Sequence, residues 1–431
     1  MPAADLRPDK KGRGAGKPKL LVFDLAYTFE AVRQRGQEAQ ILCRDLDGFF
    51  EHVWSVHPFA TLLTSDAAGP RHGKPTTYEL APRHTVVEGK VGRFAWLRWL
   101  FPLNFLLGQA DLFFRLRALI KRERVSVIRV PSPLYEGLFG LLLARSTGIP
   151  LVVRIGANHD KHFETTGEPM EPRLMRSRKI EKIIERFVFR RADLVAGANQ
   201  DNLDFALANG ASPDRATLFR YGNLVDPRHF ASPRERSDAS EVLRKFGIER
   251  GRFLLYVGRL APIKQPDHVI EVLARLRDRG LGLKALLAGE GPMRSELDTR
   301  ARQLGLEDSV IMPGSLDQGE LALLYPAAAA VISPHTGRAL AEAGLGGAPV
   351  VAYDVDWQGE IIESGKTGFL VEHGDIEQMS ETAYALVTNP KDSRRLGAAL
   401  RKRVLEMLDP EQLNEHERQE YSKLLARSPE K

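Results

Sequence analysis

The residues of this 431-residue chain that are best suited to bind a ligand lie in one stretch, residues 333–352. Gly337 precedes residues 338–345, whose Ala, Leu and Glu side chains favour a helix. The N-terminus of a helix presents backbone N–H groups that favour an anion such as a phosphate. Glu342 falls one turn inside this helix, where a carboxylate can accept hydrogen bonds from a ribose diol. The alternative is an ordinary turn followed by a solvated glutamate.

Two cations follow another predicted strand, residues 253–257. Gly258 and Arg259 come directly after this strand, and Lys264 lies five residues beyond Arg259. Such a pair at a strand end suits a diphosphate, because Arg binds oxygens as a bidentate fork and Lys as a point charge. A solvated surface turn is the alternative interpretation.

Three glycines follow the next two predicted strands. Gly289 and Gly291 come after residues 285–288, and Gly314 comes after residues 310–312. Glycine lets a ligand approach the backbone closely, although each of these glycines alone is a weak signal. Ligands of open α/β sheets bind outside the carboxyl ends of the strands. All these candidates fall at one such edge, and this coincidence favours a nucleotide site over separate surface turns.

The elements that position these residues alternate between strand and helix from Lys19 onward. Strands are predicted at residues 19–26, 53–56, 125–130, 151–155, 193–196, 216–219, 253–257, 285–288, 310–312, 329–333 and 350–353. Helices are predicted between them at residues 36–50, 134–146, 180–189, 267–279, 293–304, 320–327 and 338–345. A polar, proline-containing segment, residues 227–240, interrupts the alternation. The pattern predicts an α/β protein with two doubly wound, Rossmann-like domains that face a central cleft.

The chain is too long for one hydrophobic core, and two or three domains are expected for 431 residues. The only cysteine, Cys43, excludes an internal disulfide and fits a reducing compartment such as the cytoplasm. Residues 1–18 are basic and lack an apolar core, which predicts a disordered tail and no signal peptide. The net charge of +6 is compatible with nucleic acid, but no recognised nucleic-acid motif accompanies it, so we expect no nucleic-acid partner.

The C-terminal half resembles the retaining family 4 glycosyltransferases of the GT-B fold. The resemblance is carried by YVGRLAPIK, LLAGEGP, VIMPGSL, ISPHTGRALAEAGLGGAPVVAYDVDWQGEII and GKTGFLVEHGD, between residues 250 and 377. It implies an enzyme that transfers a hexose from a nucleoside diphosphate (NDP) sugar to an acceptor, with retention at the anomeric carbon. The nucleotide sugar is a substrate in such enzymes, and the resemblance implies neither a cofactor nor a metal.

The resemblance also implies a role for each candidate residue. Arg259 and Lys264 would hold the diphosphate and stabilise it as it leaves, which makes them the catalytic candidates. Glu342 would bind the nucleotide ribose. The remaining donor-binding candidates are Gly258, Gly289 and Gly291 on the nucleotide side, Thr336, Gly337 and Arg338 through backbone amides, and Glu360 near the donor.

Asp354 and Asp356 imitate the Asp-x-Asp motif of metal-dependent glycosyltransferases. That motif belongs to another fold class, so we interpret both residues as polar side chains of a loop. Cationic side chains take over the role of a metal in this interpretation, and we expect no metal site.

The chain departs from the family pattern at three places. Pro334 stands where the family has a glutamate beside the donor sugar, and Ala26 and Tyr27 stand in place of a Gly-Gly loop after the first strand. The family's donor-contacting histidine aligns near Gly156, and His159, three residues later, is the candidate to replace it. These departures keep two alternatives open: a nucleotide-sugar-binding protein that has lost catalysis, or a GT-B epimerase.

The resemblance implies a division into domains as well. Residues 19–228 would form the acceptor-side domain, and residues 229–408 would form the donor-binding domain. Residues 409–427 would form a C-terminal helix that packs back on the first domain and buries an apolar side, which includes Tyr421 and Leu424.

Residues that recognise the acceptor are expected in the first domain. Residues 94–107 are densely aromatic and apolar, with Trp96 and Trp99 among them, and basic side chains surround this segment. The composition suits a peripheral contact with an anionic membrane, which would place the enzyme at the inner face with a lipid-linked glycan as acceptor. The alternatives are a helix in the protein core and a glycan acceptor that carries no lipid.

Overall fold

The computed structural model describes residues 16–427, except 26–27, 35, 37, 61–70, 173, 221–224, 233–234, 236–237, 336 and 356. Most of the segment for which we expected a disordered tail lies outside these residues, as do Thr336 and Asp356. The described strands form two sheets, one from each half of the sequence.

The N-terminal half forms an eight-stranded sheet. Its strands are β1 (Lys19–Phe23), β2 (His52–His57), β3 (Thr76–Ala81), β4 (His84–Glu88), β5 (Val127–Val130), β6 (Leu151–Ile155), β7 (Leu194–Gly197) and β8 (Ala216–Leu218). Their order is β3-β4-β2-β1-β5-β6-β7-β8, and neighbouring strands are parallel except for β3 and β4. The middle strands β1, β5 and β6 are mostly apolar because helices cover both faces of a parallel sheet.

The C-terminal half forms a six-stranded parallel sheet. Its strands are β9 (Phe253–Val257), β10 (Lys284–Ala288), β11 (Val310–Gly314), β12 (Ala330–Ser333), β13 (Val350–Tyr353) and β14 (Phe369–Val371), in the order β11-β10-β9-β12-β13-β14. The chain runs outward from β9 to β11 and then returns to place β12 on the other side of β9. This reversal opens a crevice between the loops that follow β9 and β12, where sheets of this type bind ligands.

Helices cover both sheets. In the N-terminal half they are α1 (Phe29–Gln34), α2 (Ala39–Leu42), α3 (Phe101–Glu123), α4 (Tyr135–Thr147), α5 (His159–Thr166), α6 (Arg178–Phe189) and α7 (Gln200–Ala208). They continue as α8 (Ser240–Lys245), α9 (Pro266–Asp278), α10 (Arg294–Gln303), α11 (Gln318–Leu324), α12 (Arg338–Gly346), α13 (Gln358–Ile361), α14 (Ile376–Thr388), α15 (Pro390–Leu408) and α16 (Pro410–Arg427). Among the described residues, no helix combines the length and the apolar character that crossing a membrane requires.

The last helix, α16, leaves the C-terminal half and packs on the N-terminal sheet. Tyr421 and Leu424 join the hydrophobic core of that sheet, and Tyr421 is fully buried. Glu417 lies 3.3 Å from Arg154 and 3.7 Å from Arg129, both on strands of the same sheet. The last helix of the chain thus contributes to the core of the N-terminal sheet.

The structure differs from the sequence prediction at several places in the N-terminal half. Helices α1, α5 and α7 were not predicted, and two further differences have a clear physical cause. β3 and β4 form an antiparallel pair that we did not predict, because β3 is an edge strand whose side chains are only partly buried. The helix predicted at residues 36–50 is limited to α2 and a following 3-10 turn, since Leu46 takes a left-handed conformation with φ of 51°.

Candidate active site

Three loops at the carboxyl edge of the C-terminal sheet are tied together by backbone hydrogen bonds. The N–H of Gly258 donates to the carbonyl oxygen of Ala288 at 3.0 Å, and the N–H of Gly289 donates to that of Gly314 at 2.9 Å. A Cβ atom on Gly289 would lie 1.9 Å from the carbonyl oxygen of Gly258. Only glycine fits at such a close approach, so the loops after β9, β10 and β11 form one compact wall.

The turn before α12 brings the N-terminus of a helix to this wall. Gly337 takes φ of +63° and directly precedes Arg338, the first residue of the helix. Nδ1 of His335 lies 3.1 Å from the carbonyl oxygen of Ile263, which joins this turn to the 3-10 helix Pro262–Lys264. The N-terminal end of α12 therefore lies beside that basic turn, as the crevice between β9 and β12 predicts.

Glu342 is held inside α12 by two neighbours. Its carboxylate accepts a hydrogen bond from the Tyr325 hydroxyl at 3.2 Å, and Nε of Arg338 lies 3.5 Å from its other oxygen. Burial raises the pKa of the Tyr325 hydroxyl well above its usual value, and the nearby carboxylate adds to the shift. Tyr325 therefore remains a hydrogen-bond donor that orients the carboxylate. The Arg338 side chain takes part in this arrangement, whereas the sequence had suggested a role only for its backbone N–H.

Two adjoining cavities lie along this edge, with volumes of about 650 Å³ and about 710 Å³. Seven candidate residues line these cavities. The first cavity is lined by Gly258, Gly289 and Glu342, and the second is lined by Lys264 and Gly337. Arg259 and Arg338 line both cavities. Because two guanidinium groups border both cavities, a ligand that extends from one into the other passes a strongly cationic boundary. The volumes are typical of small-molecule sites.

The N-terminal half contributes a wall of the second cavity that we did not predict. Asn158, Lys161 and His162 line it, just beyond the carboxyl end of β6. The side chain of Asn158 accepts hydrogen bonds from the N–H groups of Asp160 and Lys161 and so caps α5. Burial lowers the pKa of His162. A signal was present in the sequence, because polar residues that follow a parallel strand lie at the edge where ligands bind.

His159 does not take the position near the donor that we expected for it. Its side chain points into the N-terminal core, where it is 2% exposed and Nδ1 lies 2.7 Å from Oε1 of Glu185. The neighbouring His162 faces the cleft instead. Gly291 also lines neither cavity, and its role is structural, because a Cβ atom there would lie 2.1 Å from the carbonyl oxygen of Leu260.

Glu360 joins the two halves of the chain and lines neither cavity. One carboxylate oxygen lies 2.8 Å from Nη1 of Arg220, and the other accepts a hydrogen bond from the N–H of Gln200 at 2.7 Å. In this arrangement the carboxylate is a contact between domains and not a ligand of the donor. Asp354, by contrast, does line the second cavity.

Trp96 and Trp99 lie on the surface, with 74% and 83% of their area exposed. Neither lines either of the two cavities described above, so neither is placed to contact an acceptor inside them. Their exposure contradicts the alternative of a core helix for residues 94–107. The segment instead contains the 3-10 helix Ala95–Leu97 and the start of α3, which turns much of its apolar side to solvent.

Two doubly wound α/β domains with a ligand cleft at their strand ends define the GT-B class of glycosyltransferases. The model of the family "Glycosyl transferases group 1" matches residues 238–403, and that of the "Glycosyl transferase 4-like domain" matches residues 25–222. The chain therefore belongs to the group 1 glycosyltransferases, the family that the sequence motifs indicated.

Similarity extends to curated relatives and to solved structures. The D-inositol 3-phosphate glycosyltransferase of Frankia alni is 30% identical over 351 residues, which cover 75% of this chain and 81% of the relative. The alpha-D-kanosaminyltransferase of Streptomyces kanamyceticus is 26% identical over 265 residues, which cover 59% of this chain and 66% of the relative. The crystal structure of Anabaena HepE in complex with UDP and glucose matches with a TM-score of 0.70 at 18% identity, over 94% of this chain and 100% of that chain. This match confirms the GT-B fold.

Proposed function

We propose that this chain transfers a hexose from an NDP-sugar to a glycan or a lipid-linked glycan, with retention at the anomeric carbon and without a divalent metal. One observation carries the proposal: Arg259, Lys264 and the N-terminus of α12 converge on two adjoining cavities. The first cavity suits the nucleoside, because Glu342 is poised there to accept hydrogen bonds from a ribose. The second suits the sugar and the acceptor, since it opens between the two domains.

The mechanism of transfer follows from the negative charge that develops on the NDP as it leaves the sugar. The bond between the anomeric carbon and the diphosphate oxygen breaks, and Arg259, Lys264 and the helix N-terminus stabilise the departing NDP. The acceptor hydroxyl oxygen bonds to the anomeric carbon from the same face of the sugar. Its proton passes to an oxygen of the departing diphosphate, so no protein base is required. Cationic side chains supply the charge that a metal supplies in other glycosyltransferases.

We also propose that the enzyme works in the cytoplasm, at the inner face of a membrane when its acceptor is linked to lipid. The single cysteine fits a reducing compartment. The exposed Trp96 and Trp99 support a peripheral contact with lipid, because tryptophan is enriched at membrane interfaces.

A thermal-shift screen tests the donor site. UDP, GDP, ADP and dTDP are each added with Mg²⁺ or with EDTA, and a nucleotide that binds only the folded chain raises its Tm. UDP comes first because the HepE structure holds UDP and glucose. We expect one nucleotide to raise the Tm equally under both conditions. Transfer that EDTA abolishes and Mn²⁺ restores would refute metal independence and return Asp354 and Asp356 as metal ligands.

A nucleotide-sugar-binding protein without catalysis is the second candidate, and Pro334 is the observation that favours it. Pro334 replaces the family's glutamate, and its carbonyl oxygen accepts a hydrogen bond from the Gln358 amide at 3.3 Å. Tight binding of an NDP-sugar that is neither transferred nor hydrolysed would favour this candidate. Release of an epimerised sugar would identify an epimerase instead. For a transferase, the anomeric configuration of the product, read by NMR, tests retention.

A further inference from the structure

The N-terminal domain exposes one broad apolar face. Helices α3, α4 and α6 lie side by side and bury their inner sides in the same core cluster. Their outer sides carry large apolar side chains that are 51–69% exposed, namely Leu106 and Phe114 on α3, Leu142 on α4, and Ile180 and Ile183 on α6. Contiguous exposed apolar surface of this kind marks a contact with a partner or a membrane. We call this surface, together with Trp96 and Trp99, the apolar face.

A rigid turn holds the two tryptophans outward at one end of the apolar face. Trp96 and Trp99 lie between β4 and α3, and Asn104, which is 1% exposed, fixes this segment. The side-chain oxygen of Asn104 accepts a hydrogen bond from the N–H of Phe94 at 2.9 Å, and its amide donates to the carbonyl oxygen of Phe94 at 2.7 Å. The indole rings are therefore presented by an ordered turn, at the same edge of the sheet as the cleft.

Cations surround the apolar side chains of the turn and α3. Residues 93–124 contain seven Lys and Arg residues but only two acidic ones. Both acidic side chains are paired with cations, Asp111 with Arg93 at 3.3 Å and Glu123 with Arg122 at 2.9 Å. Because both carboxylates are already paired, the surplus of positive charge at this end of the face has no further counter-charge on α3 itself.

The same charge pattern recurs on α6, every residue of which is described. Its outer side exposes Lys179 and Arg186 beside the isoleucines. Its two carboxylates, Glu181 and Glu185, are fully buried on the inner side. An amphipathic surface with apolar and basic side chains but few exposed carboxylates is typical of proteins that lie on an anionic bilayer.

We propose that the apolar face docks on an anionic bilayer. Its apolar side chains enter the boundary between headgroups and acyl chains, tryptophans sit at the interface, and Lys and Arg pair with lipid phosphates. A second copy of the chain fits this face less well, because a two-fold contact would place its cations against one another. Docking would hold the cleft next to the headgroups, so a lipid-linked acceptor could enter it. This inference rests on the acceptor part of the proposed function and deepens it.

Tryptophan fluorescence with vesicles tests the docking. Of the four tryptophans, Trp54 and Trp357 are only 6% and 5% exposed, so a spectral change reports on Trp96 and Trp99. We expect vesicles of phosphatidylglycerol and phosphatidylcholine to shift the emission to the blue, and brominated lipid to quench it. Vesicles of phosphatidylcholine alone should do neither. Absence of a shift with the anionic vesicles overturns the inference.

Matched charge variants distinguish docking through the apolar face from a general electrostatic attraction between the basic chain and anionic lipid. The pair Lys179→Gln and Arg186→Gln should lower vesicle affinity about fivefold for each charge removed. The control pair, Arg302→Gln and Lys402→Gln, removes two exposed cations of the C-terminal domain and should leave affinity unchanged. Equal losses in both pairs would overturn the inference.

The rise in Tm with nucleotide tests donor binding independently of membrane docking. Every variant should retain this rise, which also shows that it is folded. Vesicle binding without any nucleotide effect would reject the proposed donor site and leave the docking surface standing. The double variant Trp96→Ser and Trp99→Ser should lose vesicle binding. The inference would be overturned if the wild type formed a dimer and did not bind vesicles, while the double variant was monomeric. That result would assign the apolar face to a second copy of the chain.

Discussion

Arg220 and Glu360 form an ion pair between the two domains, with Nη1 of Arg220 2.8 Å from Oε2 of Glu360. The other carboxylate oxygen accepts hydrogen bonds from the N–H groups of Gln200 at 2.7 Å and Asp201 at 3.3 Å, at the start of α7. Glu360 of the C-terminal domain thus contacts both Arg220 and the start of α7 in the N-terminal domain. The contact helps to set the opening of the cleft that both domains line.

Loss of this contact should slow transfer more than it lowers stability. The pair is partly exposed, so Glu360→Ala should change the free energy of unfolding by less than about 1 kcal/mol. The relative position of the domains should become less fixed, and kcat should fall about tenfold because the acceptor is no longer held in its reactive position against the donor. Steady-state kinetics and the radius of gyration from X-ray scattering measure the two effects.

A double-mutant cycle distinguishes a domain contact from a donor contact at Glu360. Arg220→Met should reproduce the effect of Glu360→Ala, and the double variant should be no worse than either single one. Arg300→Met is the matched control, since its partner Glu271 lies in the same domain. Additive losses in the double variant would show that Glu360 acts on the donor independently of Arg220.

Loss of Arg259 or of Lys264 should both lower kcat and raise KM for the donor. The two cations are predicted to contact the diphosphate whose charge grows as it leaves, so Arg259→Ala and Lys264→Ala should slow transfer and weaken NDP binding. A lost donor of this kind costs on the order of 2–4 kcal/mol of transition-state stabilisation. Initial rates at varied donor concentration and calorimetric NDP binding provide the measurements.

The control for these variants is Arg302→Ala, which removes an exposed cation far from the cavities and should be silent. From the sequence alone, Arg338→Ala was expected to be mild, because only the backbone N–H was assigned a role. The structure changes this expectation, since the Arg338 side chain lines both cavities and pairs with Glu342. Wild-type turnover in both the Arg259 and Lys264 variants would show that the diphosphate binds on another turn.

Glu342→Gln should act mainly on KM for the donor. A ribose contact is made equally in the ground and transition states, so its loss weakens binding without slowing the chemical step. A hydrogen bond to a charged group contributes roughly 1.5–3 kcal/mol, which predicts a rise in KM of about tenfold or more. Binding of the nucleoside monophosphate should weaken in parallel.

Tyr325→Phe is the matched variant for this prediction. It removes the hydroxyl that donates to Glu342 at 3.2 Å but keeps the carboxylate charge. The expected rise in KM is therefore smaller than that of Glu342→Gln. A fall in kcat with an unchanged KM in Glu342→Gln would place this carboxylate at the reacting centre and not at the ribose.

Much of the C-terminal sheet could be predicted from the sequence for a physical reason. Parallel strands are short apolar runs bounded by glycine and proline, and the polar residues after them must meet at one edge of the sheet. Residues 253–257 and 350–353 were predicted with the same bounds as β9 and β13. Gly258, Arg259, Lys264 and Glu342 consequently line the two adjoining cavities at this edge.

Contacts between distant parts of the chain were not readable in this way. His159 was expected near the donor, but Glu185, twenty-six residues further on, draws its ring into the core. Glu360 pairs with Arg220, which lies 140 residues earlier in the chain, and no local sequence pattern predicts that pairing. The edge strand β3 was missed because it is short and none of its side chains is fully buried, so only Tyr78 and Leu80 mark one face as apolar.

A buried carboxyl in the N-terminal domain predicts a pH dependence of stability. Burial raises the pKa of Glu171 from 4.5 to about 7, and the nearby Glu181 carboxylate adds to the shift. The folded chain thus holds this proton more tightly than the unfolded chain. Its contribution is fully present below about pH 4.5 and is lost as the pH rises towards 7. Glu171→Gln should lose less stability over this interval, by on the order of 2–3 kcal/mol.

Urea denaturation at pH 5 and pH 8, on either side of the raised pKa of Glu171, measures this difference. Burial lowers the pKa of His57 to about 4, and its contribution is lost as the pH falls below 6.5. That opposing effect is present in wild type and variant alike and cancels in the comparison. Glu168→Gln, an exposed neighbour, is the control and should follow the wild type. Superimposable profiles for wild type and Glu171→Gln would contradict the prediction.

Glu417 joins α16 to the N-terminal sheet through two arginines. Its carboxylate is 1% exposed and lies 3.3 Å from Arg154 and 3.7 Å from Arg129. Glu417→Ala would leave two buried guanidinium groups without this counter-charge, which should cost about 3–5 kcal/mol of the free energy of unfolding. Glu415→Ala, two positions earlier on the same helix, removes an exposed carboxylate and should leave the urea midpoint unchanged. Equal losses in both variants would mean that the helix itself, and not the buried charge, determines the effect.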